Sequence, residues 1–376
     1  MSKETFIIDG LRSPIGLKNG ELVGMRPDDL ASDVVKGLLD RNSSIDHKYI
    51  EDVVIGCAFP EGSQGMLMAR GVSIMAGIPK EAGAKVVNRL CGSSMDAAHQ
   101  ISQAIDSNDI DCGIAGGTED MFGVPMGGYM PSFNPTLFEE EYYIGMGETA
   151  ENLAKELDIS REDQENFSVA SHNKALKAIS EGRFNNEIHP IIFNEKTILK
   201  DEGPRTPDLE KMKSLDPAFD AEGTVTAATS SPISTGASAL LLGSTRFVQD
   251  NNLKPKYKIV SRAIAGVDWK MMGAGPLPAS EKALKKAGME LSDIDVIELN
   301  EAFAAQSLYV IRKGGWDETK INLNGGAIAL GHPLGCSGTR IIITLMNVME
   351  QNDSNTGLAT MCIGTGQGIA TIIERV

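Results

Sequence analysis

A chain of 376 residues, 41% of them hydrophobic, with a formal charge of −16, is too long for one typical core and reads as a soluble globular protein of two or three domains. The acidity disfavours a phosphate-backbone footprint and no cluster of Lys and Arg overrides it, so nucleic acid is not an expected partner; an anionic small molecule would need a local basic or N–H-rich pocket. The five cysteines, Cys57, Cys91, Cys112, Cys336 and Cys362, are odd in number and form no CxxC pair, and the histidines are equally scattered, which argues against a disulfide framework and against a metal site.

Met1-Ser2-Lys3-Glu4 passes straight into Phe6-Ile7-Ile8-Asp9, a first strand, and no apolar run is long enough to span a membrane, so a reducing, cytoplasmic location is expected. Asp28 to Leu39 carries helical periodicity, Asp52-Val53-Val54-Ile55-Gly56 reads as a buried strand, and Ala69 to Ala76 is a helix ended by Gly77 and Pro79. Lys85-Val86-Val87 then leads through Asn88-Arg89-Leu90 to Cys91, Gly92-Ser93-Ser94 and a small-residue helix, followed by a strand over Asp111 to Gly117. This is the βαβ alternation of a layered α/β domain.

The C-terminal part repeats the order. Tyr257 to Val260 echoes the first strand, Ser280 to Ala287 the first helix, and Asp293 to Ile297 the strand over Asp52 to Ile55. Ile321-Asn322-Leu323-Asn324 stands where Val86-Val87-Asn88 stood, Gly335 to Thr339 opens a second helix, and Leu358 to Cys362 is read as the final strand, corresponding to the one holding Cys112. Residues 120–232, rich in Gly, Pro, Met and charge, read as an insertion with helices over Thr149 to Leu157 and Arg161 to Ile179. The expected division is an N-terminal half over 1–119, completed by about 233–255, an inserted domain over 120–232, and a C-terminal half over 256–376. Two related domains bring corresponding loops face to face, and a site is expected at that junction.

Cys91 is the first candidate for it. A cysteine in the first turn of a helix faces unpaired N–H groups and the positive end of the macrodipole, which favour thiolate. A buried cysteine packing as a small hydrophobe is the competing reading, and the stretch alone leaves both open.

Four motifs together resemble the thiolase family across essentially the whole chain: Asn88 to Ser94; Asn300-Glu301-Ala302-Phe303-Ala304-Ala305-Gln306; Asn324-Gly325-Gly326 through Gly331-His332-Pro333; and Cys362-Ile363-Gly364-Thr365-Gly366-Gln367-Gly368. The resemblance implies duplicated α/β halves in a five-layered α-β-α-β-α fold with an inserted substrate-binding loop domain, and a homodimer or homotetramer. It implies thiolytic cleavage of 3-ketoacyl-CoA by CoA, with Cys91 acylated, His332 taking its proton, and Cys362 protonating the departing acetyl-CoA carbanion. It implies one oxyanion hole at His332 and an Asn300-held water, and another at the N–H groups of Cys91 and Gly364. Ser231 matches the serine that contacts pantetheine, Arg205 lies near the arginine that meets the nucleotide, and Met146 and Phe303 are carried over as substrate-binding residues. Thr235 stands where the family usually has Asp. CoA is then a substrate, with no cofactor and no metal, and the family also supplies a possible partner in the hydratase/dehydrogenase subunit of a fatty-acid oxidation complex.

The glycines at Gly364, Gly366 and Gly368 are not a dinucleotide loop, because only eight residues follow Gly368. Cys362 argues against a decarboxylating ketoacyl synthase or a hydroxymethylglutaryl-CoA synthase, and the intact Cys91, His332, Asn300 and Cys362 argue against a non-catalytic acyl-CoA-binding protein. Thiolases confined to acetoacetyl-CoA usually carry a His before the Met-Gly of the loop domain, where this chain has Ile144-Gly145 before Met146-Gly147. That difference favours a broad-range degradative enzyme of fatty-acid β-oxidation over an acetoacetyl-CoA thiolase condensing two acetyl-CoA.

Overall fold

The computed structural model describes residues 4–376; Met1, Ser2 and Lys3, read above as leading directly into the first strand, lie outside the described residues. The chain opens with β1 (Thr5–Arg12), β2 (Gly16–Leu17), α1 (Pro27–Arg41), β3 (Asp52–Gly56), α2 (Met68–Met75), β4 (Gly83–Val87), α3 (Ser93–Ser107) and β5 (Cys112–Asp120). There follow α4 (Pro135–Glu139), α5 (Met146–Glu156), α6 (Arg161–Ser180), a hairpin of β6 (Ile191–Phe193) and β7 (Lys196–Ile198), and α7 (Leu209–Lys213). After β8 (Ser234–Ser244) and α8 (Thr245–Asp250) come β9 (Tyr257–Gly266), α9 (Pro276–Ala287), β10 (Val296–Leu299), α10 (Ala304–Gly314), α11 (Ala327–Leu330), α12 (Ser337–Gln351), β11 (Thr356–Ile363) and β12 (Gln367–Arg375).

Sheet order makes the duplication explicit. One half runs β4-β3-β5-β8-β1 and the other β10-β11-β12-β9, with Ile321 bridging Ile297 in the place that β4 holds beside β3. In both halves the crossover strands are parallel and the last two pairings antiparallel. The halves join where Thr5, Phe6 and Ile7 pair with Ile259, Lys258 and Tyr257.

One repeated element is reduced in the second half, and one expectation needs correction. Ile321 to Asn324 is not a strand: the Asn322 side chain takes the ladder's role, accepting from Leu299 N at 2.9 Å and donating to Leu299 O at 2.8 Å. Nor is Leu358 to Cys362 the final strand. A turn with Thr365 at φ 65° and Gly366 at φ 79° reverses the chain so that β12 pairs antiparallel with β11, from Ile363 opposite Gln367 to Thr356 opposite Glu374.

Layers follow from where apolar side chains meet. Helices α1 and α2 pack on the outer face of the first half, and α9 and α10 on the outer face of the second. Between the halves lie α3 and α12, contributing Met95, Ala97, Ala98 and Ile101 and the run Ile341-Ile342-Ile343; helices buried this completely need no polar face. Their crossing is close enough that a Cβ on Gly338 would lie 2.2 Å from Met95 N. The architecture is the five-layered α-β-α-β-α fold. Residues between β5 and β8 cover one end of it, α5 packing Ala150, Leu153 and Ala154 against Phe303, Tyr309 and Cys362. The two expected helices there are α5 and α6, the latter opened by a Ser160–Asp163 capping box. Among the described residues no helix is long and apolar enough to cross a membrane.

Candidate active site

The loop between β4 and α3 is held by its own short polar side chains. Asn88 donates to Ala58 O at 2.9 Å and accepts from Leu90 N at 2.8 Å; Ser93 Oγ accepts from Arg89 N at 2.9 Å and donates to Leu90 O at 2.5 Å. Leu90 takes a positive φ of 44°, and Gly92 occupies the cap position of α3. Cys91 therefore precedes the cap and is not in the first helical turn. A Cβ on Gly92 would lie 2.6 Å from Ile363 Cδ1, so the loop rests on the end of β11, which comes from the other half of the fold.

That packing reverses the expectation for the thiol. Burial pushes Cys91 up to about 11, against the backbone N–H groups of Gly364 and of Cys91 itself, which favour the thiolate. Two N–H groups do not outweigh the desolvation of a sulfur anion. Cys91 is therefore a thiol at rest.

His332 is held with one ring nitrogen engaged and the other bare. Gly331, at φ 116° with Ile15 Cγ2 only 2.5 Å from where a Cβ would stand, lets the chain turn into the site, and Ser234 Oγ accepts from His332 N at 3.0 Å. Nδ1 lies 2.6 Å from Ser337 Oγ, and Ser337 donates to Pro333 O at 2.9 Å. Having spent its proton on the carbonyl, the hydroxyl must accept from Nδ1–H, which leaves Nε2 with a free lone pair. Asn300 Nδ2 sits 3.3 Å from that Nε2, and Asn300 Oδ1 is buried without a partner among the described residues. Burial, aided by the Arg340 cation, lowers His332 to about 3, so the resting imidazole is neutral.

Glu119, at the end of β5, ties this loop to the first half. Its carboxylate accepts from Ala58 N at 2.7 Å, Phe59 N at 3.2 Å, Gln64 Nε2 at 2.8 Å and Gly335 N at 2.9 Å. Neither Glu119 nor Ser337 was singled out from the sequence. A carboxylate closing a fully buried strand and a hydroxyl five residues beyond a histidine at a helix start were the available signals.

Cys362 lies near the end of β11, 1% exposed, and burial together with the charge of the facing Cys91 sulfur pushes its thiol up. Gly364 follows it, and a Cβ there would lie 3.0 Å from Leu90 Cδ1 and 3.4 Å from Met146 Sδ, which places Met146 beside Cys91's loop. Phe303 meets Phe219 edge-on at 5.8 Å, and Ser230 bridges to Phe303 while Ser231 N donates to Ala302 O at 3.0 Å. Ser231, Met146 and Phe303 thus belong to the segments around the cysteines. Arg205 does not join them by any contact among the described residues: it is exposed, its Nη1 donating to Gly203 O at 3.4 Å. Thr235 is buried in β8, paired with Asp120 and Gly16. Cys57 and Cys336 are buried, their thiols facing Glu119 and Ser238, and Cys112 is buried in β5. Among the described residues no group of three His, Cys, Asp or Glu side chains could hold a metal ion. These segments supply a cysteine facing two backbone N–H groups, a second thiol facing it, and a neutral histidine with a fixed tautomer.

Comparison with known proteins gives the family. The family model described as "Thiolase, N-terminal domain" matches residues 5–246 and that for "Thiolase, C-terminal domain" residues 253–375. Curated proteins named 3-ketoacyl-CoA thiolase from Marinomonas sp. (strain MWYL1) and Idiomarina loihiensis are each 48% identical, over 99% and 100% of this chain and 98% and 100% of theirs. The crystal structure of the Bacillus anthracis acetyl-CoA acetyltransferase superposes with a TM-score of 0.92 at 34% identity, covering 100% of this chain and 99% of that one. The chain belongs to the thiolase family and is an acyltransferase.

Proposed function

We propose that the protein cleaves 3-ketoacyl-CoA with CoA, giving acetyl-CoA and a shortened acyl-CoA, in the degradative direction of fatty-acid β-oxidation. The observation that supports this reading is that the Cys91 thiol, from the first half, faces Cys362 and the N–H of Gly364 from the second, while a neutral His332 is held between Ser337 and Asn300. Cys91 Sγ attacks the 3-keto carbon as its proton passes to His332 Nε2, and the N–H groups of Cys91 and Gly364 receive the oxyanion. The C2–C3 bond breaks, the electron pair stays on the acetyl-CoA carbon, and Cys362 supplies its proton, with His332 and Asn300 facing the enolate oxygen. CoA, giving its proton to the Cys362 thiolate, then attacks the acyl-enzyme, and the Cys91 sulfur leaves with the proton held on His332. Ser231 and Met146 serve the pantetheine arm and the acyl group; Phe303 closes the pocket wall, and Arg205 meets the nucleotide end only if its exposed side chain swings toward it.

The relatives named 3-ketoacyl-CoA thiolase, at higher identity than the acetyl-CoA acetyltransferase, support the broad-range reading over acetoacetyl-CoA synthesis. The division into halves over 1–119 with 233–255 and over 256–376, around an inserted domain over 120–232, is part of the same proposal, as are a homo-oligomeric state and a cytoplasmic location. Loss of acetoacetyl-CoA absorbance on adding CoA tests the activity, since a binding module leaves it unchanged.

A further inference from the structure

Two residues before Asn300, β10 buries Glu298; three residues after Ser337, α12 buries Arg340; each is 1% exposed. Side chains recur on one face every second residue of a strand and every third or fourth of a helix. Glu298 therefore shares the face of Asn300, and Arg340 that of Ser337, the two side chains that hold His332. Arg340 Nη1 and Glu298 Oε2 are 3.9 Å apart, and Arg340 Nε and Nη1 and Glu298 Oε1 have no hydrogen-bond partner among the described residues.

Nearby Arg12 shows what a structural buried arginine looks like. Its Nε donates to Glu187 at 2.6 Å, and its fork holds Asp201 at 2.7 and 2.9 Å. A long, poorly hydrogen-bonded buried pair such as Arg340 and Glu298 is a net cost to folding, and aliphatic side chains would fill the same contact more stably. Stability does not explain it.

We propose that Glu298 and Arg340 are positioning residues for His332, a buried charge pair whose balance sets how readily the imidazole takes the Cys91 proton. The inference rests on the thiolase reading above. The Arg340 guanidinium opposes the imidazolium, and an ionised Glu298 cancels part of that field. Burial pushes the Glu298 carboxyl up to about 8, Arg340 pulling it down, Glu187 and Glu301 adding to the rise and Lys174 opposing it; Arg340 itself faces Glu298, Arg12, Glu187 and Cys336. Cys91 and His332 change state at about 11 and about 3, so neither has a midpoint near pH 8. A step there belongs to Glu298.

The experiment is rapid-quench mass spectrometry of Cys91 acylation by acetyl-CoA from pH 6 to 9.5, in the wild type, Glu298→Gln and Arg340→Lys. Beyond the smooth climb of the thiolate fraction, the wild-type rate should step up about tenfold through pH 8, as one pKa unit on the base would give. Glu298→Gln, which keeps shape and loses the charge, should show the smooth climb without the step, and Arg340→Lys, which keeps the cation, should retain the step. Parallel profiles in wild type and Glu298→Gln overturn the proposal, as does loss of the step in Arg340→Lys should Glu298→Gln not fold. No acylation of wild-type Cys91 at any pH would instead overturn the thiolase reading.

Discussion

Ser337 Oγ stands 2.6 Å from His332 Nδ1 while donating its own proton to Pro333 O, and this one hydroxyl fixes which imidazole nitrogen is bare. In Ser337→Ala the ring loses that orientation, and Nδ1–H, buried with the rest of the ring, loses its acceptor. We expect kcat for thiolysis to fall about ten- to a hundredfold, a fraction of what a positioned base contributes, with KM within about twofold. Unchanged kcat would remove Ser337 from the mechanism.

The state of Cys91 at rest is open to direct measurement. With its thiol raised to about 11, alkylation by iodoacetamide should climb steadily with pH and show no plateau below about pH 9, because only the thiolate reacts. A plateau between pH 6 and 8 would mean that the helix start and His332 hold a thiolate after all.

The two sulfurs should separate kinetically. Cys362→Ala should still be acylated by acyl-CoA, since Cys91, His332 and the N–H groups are untouched. Exchange of the α-protons of acetyl-CoA with solvent should slow by two orders of magnitude or more, about the usual contribution of a general acid–base group. Wild-type exchange rates in the variant would contradict the role given to Cys362.

Much of this was legible in advance because the chemistry is concentrated in short motifs. Asn88 to Ser94, Asn300, His332 and Cys362 fixed the family, and the repeated order of strands and helices anticipated the matching sheet orders. What was not legible depends on contacts across the fold. The direction of the Cys91 shift comes from Ile363 and Gly364 closing over the loop from the other half, and a local reading of a helix start sees only the favourable N–H groups. The missing strand at Ile321 follows from one side chain, Asn322, substituting for a ladder. β12 was overlooked because Gly364 to Gly368 was weighed as a loop motif, when its two left-handed residues, Thr365 and Gly366, make a hairpin turn.

Chain length turns on the approach to Met146. Gly145 supplies no side chain and Ile144 is apolar, while Met121 and Phe122 are half-buried and Met126 and Met130 are exposed on the same inserted segment, soft side chains that can repack around a tail. At about 0.8 kcal/mol per buried methylene, four further carbons raise selectivity by roughly two orders of magnitude. We expect kcat/KM to rise from C4 to C8 3-ketoacyl-CoA. A profile that peaks at C4 and falls steeply would restore acetoacetyl-CoA as the better substrate.

The most direct test of the account is intact-protein mass spectrometry after mixing with acetyl-CoA, followed by peptide mapping. The account predicts one acetyl group on the wild type, located at Cys91, released by adding CoA, and absent from Cys91→Ala. Acetylation that persists in Cys91→Ala, or that maps to Cys362 or Cys336, would contradict it.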